Sequence, residues 1–340
     1  VKEVRVEEAV GMVLAHDLTK IVPGEFKGRL FKKGHIICEA DVPELLNIGK
    51  EHIFILELPA GRVHEDEAAI RLAAALRGPG VTCGGPAEGK VSLYAERDGL
   101  FCLNREAIMA LNSFEEVSVA TIHGNVAVQR GEQLAGTRVV PLVVPEELVS
   151  SAESLARHYA PLLEVRPFNF RTCGLVTTGS EVFNRRIEDR FTPVVLEKLS
   201  RFPSRIVRQV IVNDEKERIK SAVLELAADG AQLIIVTGGM SVDPDDRTPA
   251  AIRATGAQVV TYGTPVLPGS MLMLAYLGEV PVLGLPGCVM FNKTTVFDLI
   301  LPRLFAGERL TRQDFTEMAV GGLCGNCEPC RYPRCHFGKN

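Results

Sequence analysis

At 340 residues the chain exceeds what one hydrophobic core usually organises, so two domains plus an appendage are expected. An apolar content of 46%, with 24% charged residues, excludes wholesale disorder, and a net charge of -4 gives no basic excess to attract nucleic acid or an anionic membrane. No apolar run reaches the roughly 18 residues of a spanning helix and the opening VKEVRVEEAV has no apolar signal core, so a cytoplasmic protein without nucleic-acid or membrane partners is expected.

Residues 1–165 read as a β-rich region. Short β-favouring runs, HIFILEL, KVSLYAE and TRVVPLVV, are separated by the turn signals PGEFKG, GPG and GGPAEG. Helices are predicted at 41–48 and at 65–76, where Ala68, Leu72, Ala75 and Leu76 recur at helical spacing. A connecting helix is predicted over 146–159, opened by Pro145 and striped by Leu148, Ala152, Leu155 and Ala156. A linker ends it at 161–167.

From about 166 to 310 the texture changes to strand-length apolar runs alternating with amphipathic helical stretches, the pattern of βαβ units and a parallel sheet. Strands are predicted at CGLVTT (173–178), RIVRQVIV (205–212), QLIIVT (232–237), QVVTY (258–262) and VPVLGL (280–285). A helix follows Asn213 or Asp214, burying Ile219, Ala222, Val223, Leu226 and Ala227, and a last one spans 291–305.

In an open parallel sheet the ligand crevice lies outside the carboxyl ends of the strands. Three glycine loops follow strands directly: Thr178-Gly179-Ser180-Glu181, Gly238-Gly239-Met240-Ser241 and Leu285-Pro286-Gly287-Cys288. They are expected on one rim. Glycines there let backbone N–H groups approach a phosphate, although each also serves as a simple strand-to-helix turn. The second loop runs into Asp243-Pro244-Asp245-Asp246-Arg247-Thr248-Pro249, carboxylates suited to a Mg²⁺ ion that bridges protein and phosphate. The rival role for Asp246 and Thr248 is to start the helix at Pro249. Asp214 is expected at the rim or as an N-cap, and Glu181 at the rim or in a first helical turn.

Nine cysteines, an odd number in a chain too large to need staples, are poorly explained by a disulfide framework. Cys38, Cys102 and Cys173 sit in apolar runs and are expected as small core residues. Cys324, Cys327, Cys330 and Cys335 crowd into the segment 311–340, with His336 beside them. Four thiols at that spacing suit one iron–sulfur cluster or one zinc ion, the alternative being free thiols. With Leu323, Tyr332 and Phe337 as its only sizeable anchors, this tail is expected to be a module separate from the α/β domain.

The ordered set TTGSEV (177–182), VNDEKERI (212–219), GGMSVDPDDRTP (238–249) and GLPG (284–287) resembles the molybdopterin-binding domain of molybdenum cofactor biosynthesis proteins. The resemblance implies a three-layer, doubly wound, mostly parallel α/β domain. It would hold molybdopterin, or its adenylylated form, at the rim. Thr178, Gly179, Ser180, Gly238, Gly239, Ser241, Thr248, Pro286 and Gly287 would bind the ligand, and Asp214, Asp246 and Glu181 would handle metal and phosphate.

Gly238, Gly239, Asp246, Thr248, Pro249 and Asp214 match the adenylylating branch of the family. Gly179, Glu181, Leu285, Pro286 and Gly287 match the branch that inserts molybdenum, as do EEAVGMVLAHDL (7–18) and LAGTRVVPLVV (134–144). A Mg²⁺-dependent molybdenum transferase is therefore implied, with an adenylyltransferase or a non-catalytic, redox-sensing binding protein as alternatives. Pterin and molybdate would be its small molecules, an apo-molybdoenzyme or another assembly protein its partner, and homo-oligomers its form. The chain departs from the inserting branch at Leu267-Pro268-Gly269-Ser270-Met271, where a Lys-Pro-Gly-Lys-Pro turn is usual. It departs again at Ser180, where an Asp is usual, and at Cys288 and Val289, where Asn and Pro are usual.

Overall fold

The computed structural model describes all residues except 23–25, 242, 244–245 and 340. The chain forms two compact units. The first holds residues 1–97, 102–122 and 129–165, and the second holds 98–101, 123–128 and 166–340.

In the first unit four antiparallel strands, Val81–Cys83, Lys90–Ala95, Gln133–Val139 and Val117–Thr121, lie side by side in that order. The helix Glu65–Leu76 packs on them and buries Ala68, Ala69, Leu72, Ala73 and Leu76. Its apolar stripe is the one read from the sequence, with Ala75 replaced by Ala69 and Ala73. The helices Asp41–Asn47 and Glu146–His158 also occur where expected. Part of the turn PGEFKG lies outside the described residues. A smaller core of Val4, Val6, Leu14, Leu18, Phe31, Ile37, Leu45, Ile53 and Ile55 sits within the first 55 residues.

The second unit is built on six strands, numbered here β1 (Arg171–Thr178), β2 (Ser204–Val212), β3 (Leu233–Thr237), β4 (Gln258–Tyr262), β5 (Met273–Leu277) and β6 (Val280–Leu285). Their spatial order is β2-β1-β3-β6-β5-β4. β1 pairs in parallel with β2 and β3, and β3 with β6, whereas β5 runs antiparallel to both neighbours. All five predicted strands are present. β5 was not foreseen; the two-residue turn Gly278-Glu279 folds it back on β6, with Leu277 opposite Val280.

Helices cover both faces, giving three layers. One face packs Val176, Ile234, Val236, Ala275 and Val282 against Ile219, Val223 and Leu226 of α3 (Lys216–Ala228) and Ile252 of α4 (Thr248–Ala254). The other packs Leu175, Ile235, Leu274 and Leu283 against Val195 and Leu199 of α2 (Phe191–Leu199) and the buried face of α6 (Val296–Phe305). Two single-turn helices, α1 (Ser180–Phe183) and α5 (Cys288–Phe291), follow β1 and β6, and α7 (Arg312–Glu317) follows α6. The helix predicted over 291–305 starts only at Val296, and Phe291 instead ends the separate turn α5.

The tail is not the separate module expected. Phe337 is 1% exposed and joins the core formed by Leu299, Leu310, Phe315 and Met318, while Cys324, Tyr332 and Cys335 pack against it. Of the tail's anchors Phe337 is inserted into the core of the α/β domain and Tyr332 packs against it, whereas Leu323 stays exposed, so the tail need not build a core of its own. Among the scattered cysteines Cys173 is buried as expected, Cys102 is half-buried, and Cys38 is exposed, which corrects its placement in the core. Among the described residues no helix is long and apolar enough to cross a membrane.

Candidate ligand rim of the second unit

Parallel pairing puts the carboxyl ends of β2, β1, β3 and β6 on one edge. Thr178 lies beside Val212, Thr177 beside Thr237, and Thr237 beside Leu285. The two reversals through β5 bring the end of β4 to the same edge, with Tyr262 beside Met273 and Met273 beside Gly284. The three glycine loops, the Asn213-Asp214 turn and the turn 264–270 therefore share one rim.

The second loop is the most constrained. Gly238 and Gly239 both have positive φ, 89° and 57°, where a side chain is strained. A Cβ at Gly238 would stand 2.5 Å from the Thr178 carbonyl oxygen, and one at Gly239 would stand 2.9 Å from Thr248 Oγ1. Thr248, fully buried, donates its hydroxyl to the Gly238 carbonyl (2.8 Å) and its N–H to the Gly239 carbonyl (3.2 Å). Its role is to fold the glycine pair back onto β3. The helix-start alternative holds in part, since Thr248 opens α4, but the cap position is Arg247 and no side chain caps there. Thr178 Oγ1 is buried beside the pair without a hydrogen-bond partner. A buried hydroxyl left unpaired costs about 1–3 kcal/mol. An orphaned donor against two side-chain-free backbone positions fits a ligand that brings acceptor oxygens.

On the first loop Gly179 has φ 140° and opens α1. Asp214 Oδ2 accepts from the Ser180 N–H (2.8 Å) and from the Ser180 hydroxyl (3.0 Å). The Ser180 N–H and hydroxyl are thus both engaged by Asp214, and the N-cap of α3 is Glu215, not Asp214. Aspartate at 180 would place a second carboxylate against Asp214, so serine here matches its partner. Glu181 is exposed in the single turn of α1.

Asp246 Oδ2 accepts weakly from the Asp243 N–H (3.4 Å) ahead of α4. Val242, Pro244 and Asp245 lie outside the described residues. Ser241 is exposed, and its carbonyl is 3.4 Å from the Tyr262 hydroxyl. On the third loop Pro286 is buried, Gly287 is exposed, and Phe291 stands 83% exposed at the end of α5, an apolar surface for a flat ring. Burial pushes the Cys288 thiol up, so it stays protonated at neutral pH.

Asp189, which the sequence reading missed, organises this end of the sheet. Its carboxylate accepts from the N–H groups of Phe191 (2.9 Å) and Thr192 (3.0 Å), the hydroxyls of Thr192 (2.5 Å) and Thr177 (3.2 Å), and Gln209 Nε2 (2.9 Å). Burial alone would raise this carboxyl, but the hydrogen bonds hold it below the usual carboxylate range. The available signal was an Asp shortly before a Thr-Pro helix start, in Asp189-Arg190-Phe191-Thr192-Pro193 as in Asp246-Arg247-Thr248-Pro249.

The metal readings find less support. Among the described residues no three His, Cys, Asp or Glu side chains are gathered into a metal-ligand set. Asp214, Asp246 and Glu181 are thus not a preformed Mg²⁺ cage. Cys324, Cys327, Cys330 and Cys335 are free thiols, and in this arrangement they do not fit a cluster or a zinc ion.

Comparison with known proteins places this unit. Residues 174–306 match the family described as "Probable molybdopterin binding domain". Residues 3–57 match a domain of unknown function (DUF8806). A molybdopterin molybdenumtransferase of Synechococcus elongatus is 27% identical over 143 residues, covering 39% of this chain and 36% of the relative. A CinA-like protein of a Mycobacterium species is 32% identical over 88 residues, covering 26% of this chain and 21% of the relative. The chain thus spans little more than a third of the length of these curated relatives, or less. A solved structure of the molybdopterin biosynthesis enzyme MoaB from Thermus thermophilus is similar at 25% identity and a TM-score of 0.33, over 41% of this chain and 98% of that one.

Proposed function

We propose that the chain binds molybdopterin or its adenylylated form on this rim and acts as a Mg²⁺-dependent transferase that inserts molybdenum into it. The observation that carries the reading is the glycine pair at 238–239, locked by Thr248 beside the orphaned hydroxyl of Thr178. That arrangement gives a phosphate-bearing ligand bare backbone and an unused donor at one spot. Phe291 offers an apolar face to the ring system. Asp214 holds the first loop through Ser180, and Asp246 stands at the entry of the second. A divalent ion would supply charge neutralisation on the phosphoanhydride, with Asp246 and Glu181 as its protein carboxylates and the ligand's own oxygens completing the set.

Release of AMP from adenylylated molybdopterin in the presence of Mg²⁺ and molybdate tests the reading. Asp246→Asn is expected to slow that release at least tenfold, about 1.4 kcal/mol of barrier. Its melting temperature should not move, because the Asp246 side chain makes one weak hydrogen bond and caps no helix. Unchanged turnover would sink the assignment of Asp246.

A second reading, a non-catalytic carrier of the cofactor, is favoured by the uncharged turn at 267–271 and by the absence of a gathered carboxylate set among the described residues. Binding of molybdopterin without AMP release would select it.

We propose separately that Cys324, Cys327, Cys330 and Cys335, free thiols not gathered into a ligand set in this arrangement, come together only when one zinc ion or iron–sulfur cluster binds. Metal analysis and visible absorption of protein purified without oxygen are expected to show iron with sulfide or stoichiometric zinc, and metal-free protein would remove the proposal.

A further inference from the structure

The tail follows one continuous path along the β4–β6 side of the rim. Leu267 donates its N–H to the Gly322 carbonyl, and Cys324 donates its N–H to the Leu267 carbonyl, both at 2.8 Å. The tail is thereby zipped to the turn that carries no lysine in this chain. Farther on, Cys330 Sγ stands 3.4 Å from the hydroxyl of Thr294, a residue only 5% exposed, in the segment that joins α5 to α6. Next, the Tyr332 hydroxyl donates to the Asp298 carbonyl at 3.0 Å. Burial pushes the Tyr332 phenol above its usual range and keeps that hydroxyl a donor.

These contacts feed one network. Asp298 Oδ2 accepts from the Thr295 N–H (2.8 Å), and Lys198 Nζ bridges the Asp298 carboxylate to the Lys293 carbonyl (2.9 Å). Val296 donates its N–H to the Pro268 carbonyl (3.2 Å), which ties the same segment to the 264–270 turn. The tail therefore touches both rim segments of the β4–β6 side. The loops of the other side, at 178–181 and 238–241, are fixed by Asp214 and Thr248 instead.

We propose that residues 322–339 form a strap that positions the turn 264–270 and the loop 286–295 for the ligand, so that affinity at the rim depends on strap residues that touch no ligand. The inference rests on the pterin reading for the identity of the ligand. It assigns the tail a role through packing and hydrogen bonds, with no metal required. Thr294 and Tyr332 are positioning residues in this scheme. Each removes a single polar contact when changed to Val or Phe, and neither substitution opens a large cavity.

Amide hydrogen exchange and titration with purified molybdopterin test the strap in the full chain. Tyr332→Phe and Thr294→Val are expected to speed exchange at 264–270 and 286–295 about tenfold, leaving 178–181 and 238–241 unchanged. They should weaken molybdopterin binding about fivefold or more, and Thr294→Ser should restore it. Removing everything after Gly321 should give the same pattern more strongly if that chain still folds; the two point variants decide the matter if it does not. Exchange that is unchanged, or raised evenly over the whole rim, overturns the strap, as does unaltered affinity in both point variants. Wild-type protein that fails to bind molybdopterin sinks the pterin reading, and the exchange pattern then judges the strap alone.

Discussion

Asp298→Ala is expected to destabilise the second unit by about 3–5 kcal/mol, the usual cost of stripping one partner from a buried ion pair. Lys198 and Asp298 meet at 2.7 Å with both side chains 5% exposed. The ammonium also donates to the Lys293 carbonyl, so it is anchored in the interior and cannot swing out to water without dismantling that turn. Alanine would leave the charge buried with one carbonyl for company, and it would remove the capping box that Asp298 forms with Thr295 at the start of α6. Urea unfolding followed by far-ultraviolet circular dichroism measures the loss. The pair Lys198→Met with Asp298→Leu should recover much of it, because neither charge then remains to be solvated. A single-variant cost below about 1 kcal/mol would show that water reaches the pair.

Phe337→Ala is expected to cost a similar amount, about 3–5 kcal/mol, by opening a cavity in the core that it shares with Leu299, Leu310 and Phe315. Gly338, whose Cβ would stand 2.3 Å from Leu299 Cδ1, shows how closely the strap lies on α6. The substitution should do more than lower the midpoint of unfolding. With its one fully buried anchor gone, the strap should become sensitive to proteases at Arg331 and Arg334 while the sheet remains intact. Mass spectrometry of a brief trypsin digest reads this directly. Equal resistance of variant and wild type would mean that Tyr332 and the Leu267 ladder suffice to hold the strap.

Much of the second unit was legible because its signals are local. Strand runs such as LIIVT are apolar on both faces, as a sheet covered on both sides requires, and glycines stand where strands end. β5 was missed because MLAYL and VPVLGL read as apolar stretches of unrelated direction until Gly278-Glu279 is taken as a hairpin turn. The rim loops were placed correctly from strand direction alone. What each polar residue does there was not legible, since Asp214 finds Ser180 34 positions away and Lys198 finds Asp298 100 positions away. A lysine in the last turn of a helix reads as a solvated charge, and only the fold shows it buried. The tail was misjudged for a related reason. Counting its anchors asks whether it can make a core, whereas Phe337 only has to complete one.

That completion has a consequence for the order in which the protein is made. Synthesis proceeds from the amino end, so every strand of the six-stranded sheet is made before Phe337 is added. During that interval the core that Phe337 shares with Leu299, Leu310 and Phe315 in the finished molecule is incomplete. Until the strap docks, the turn 264–270 and the loop 286–295 lack its hydrogen bonds and the domain carries an open apolar seam, a surface suited to capture by a chaperone.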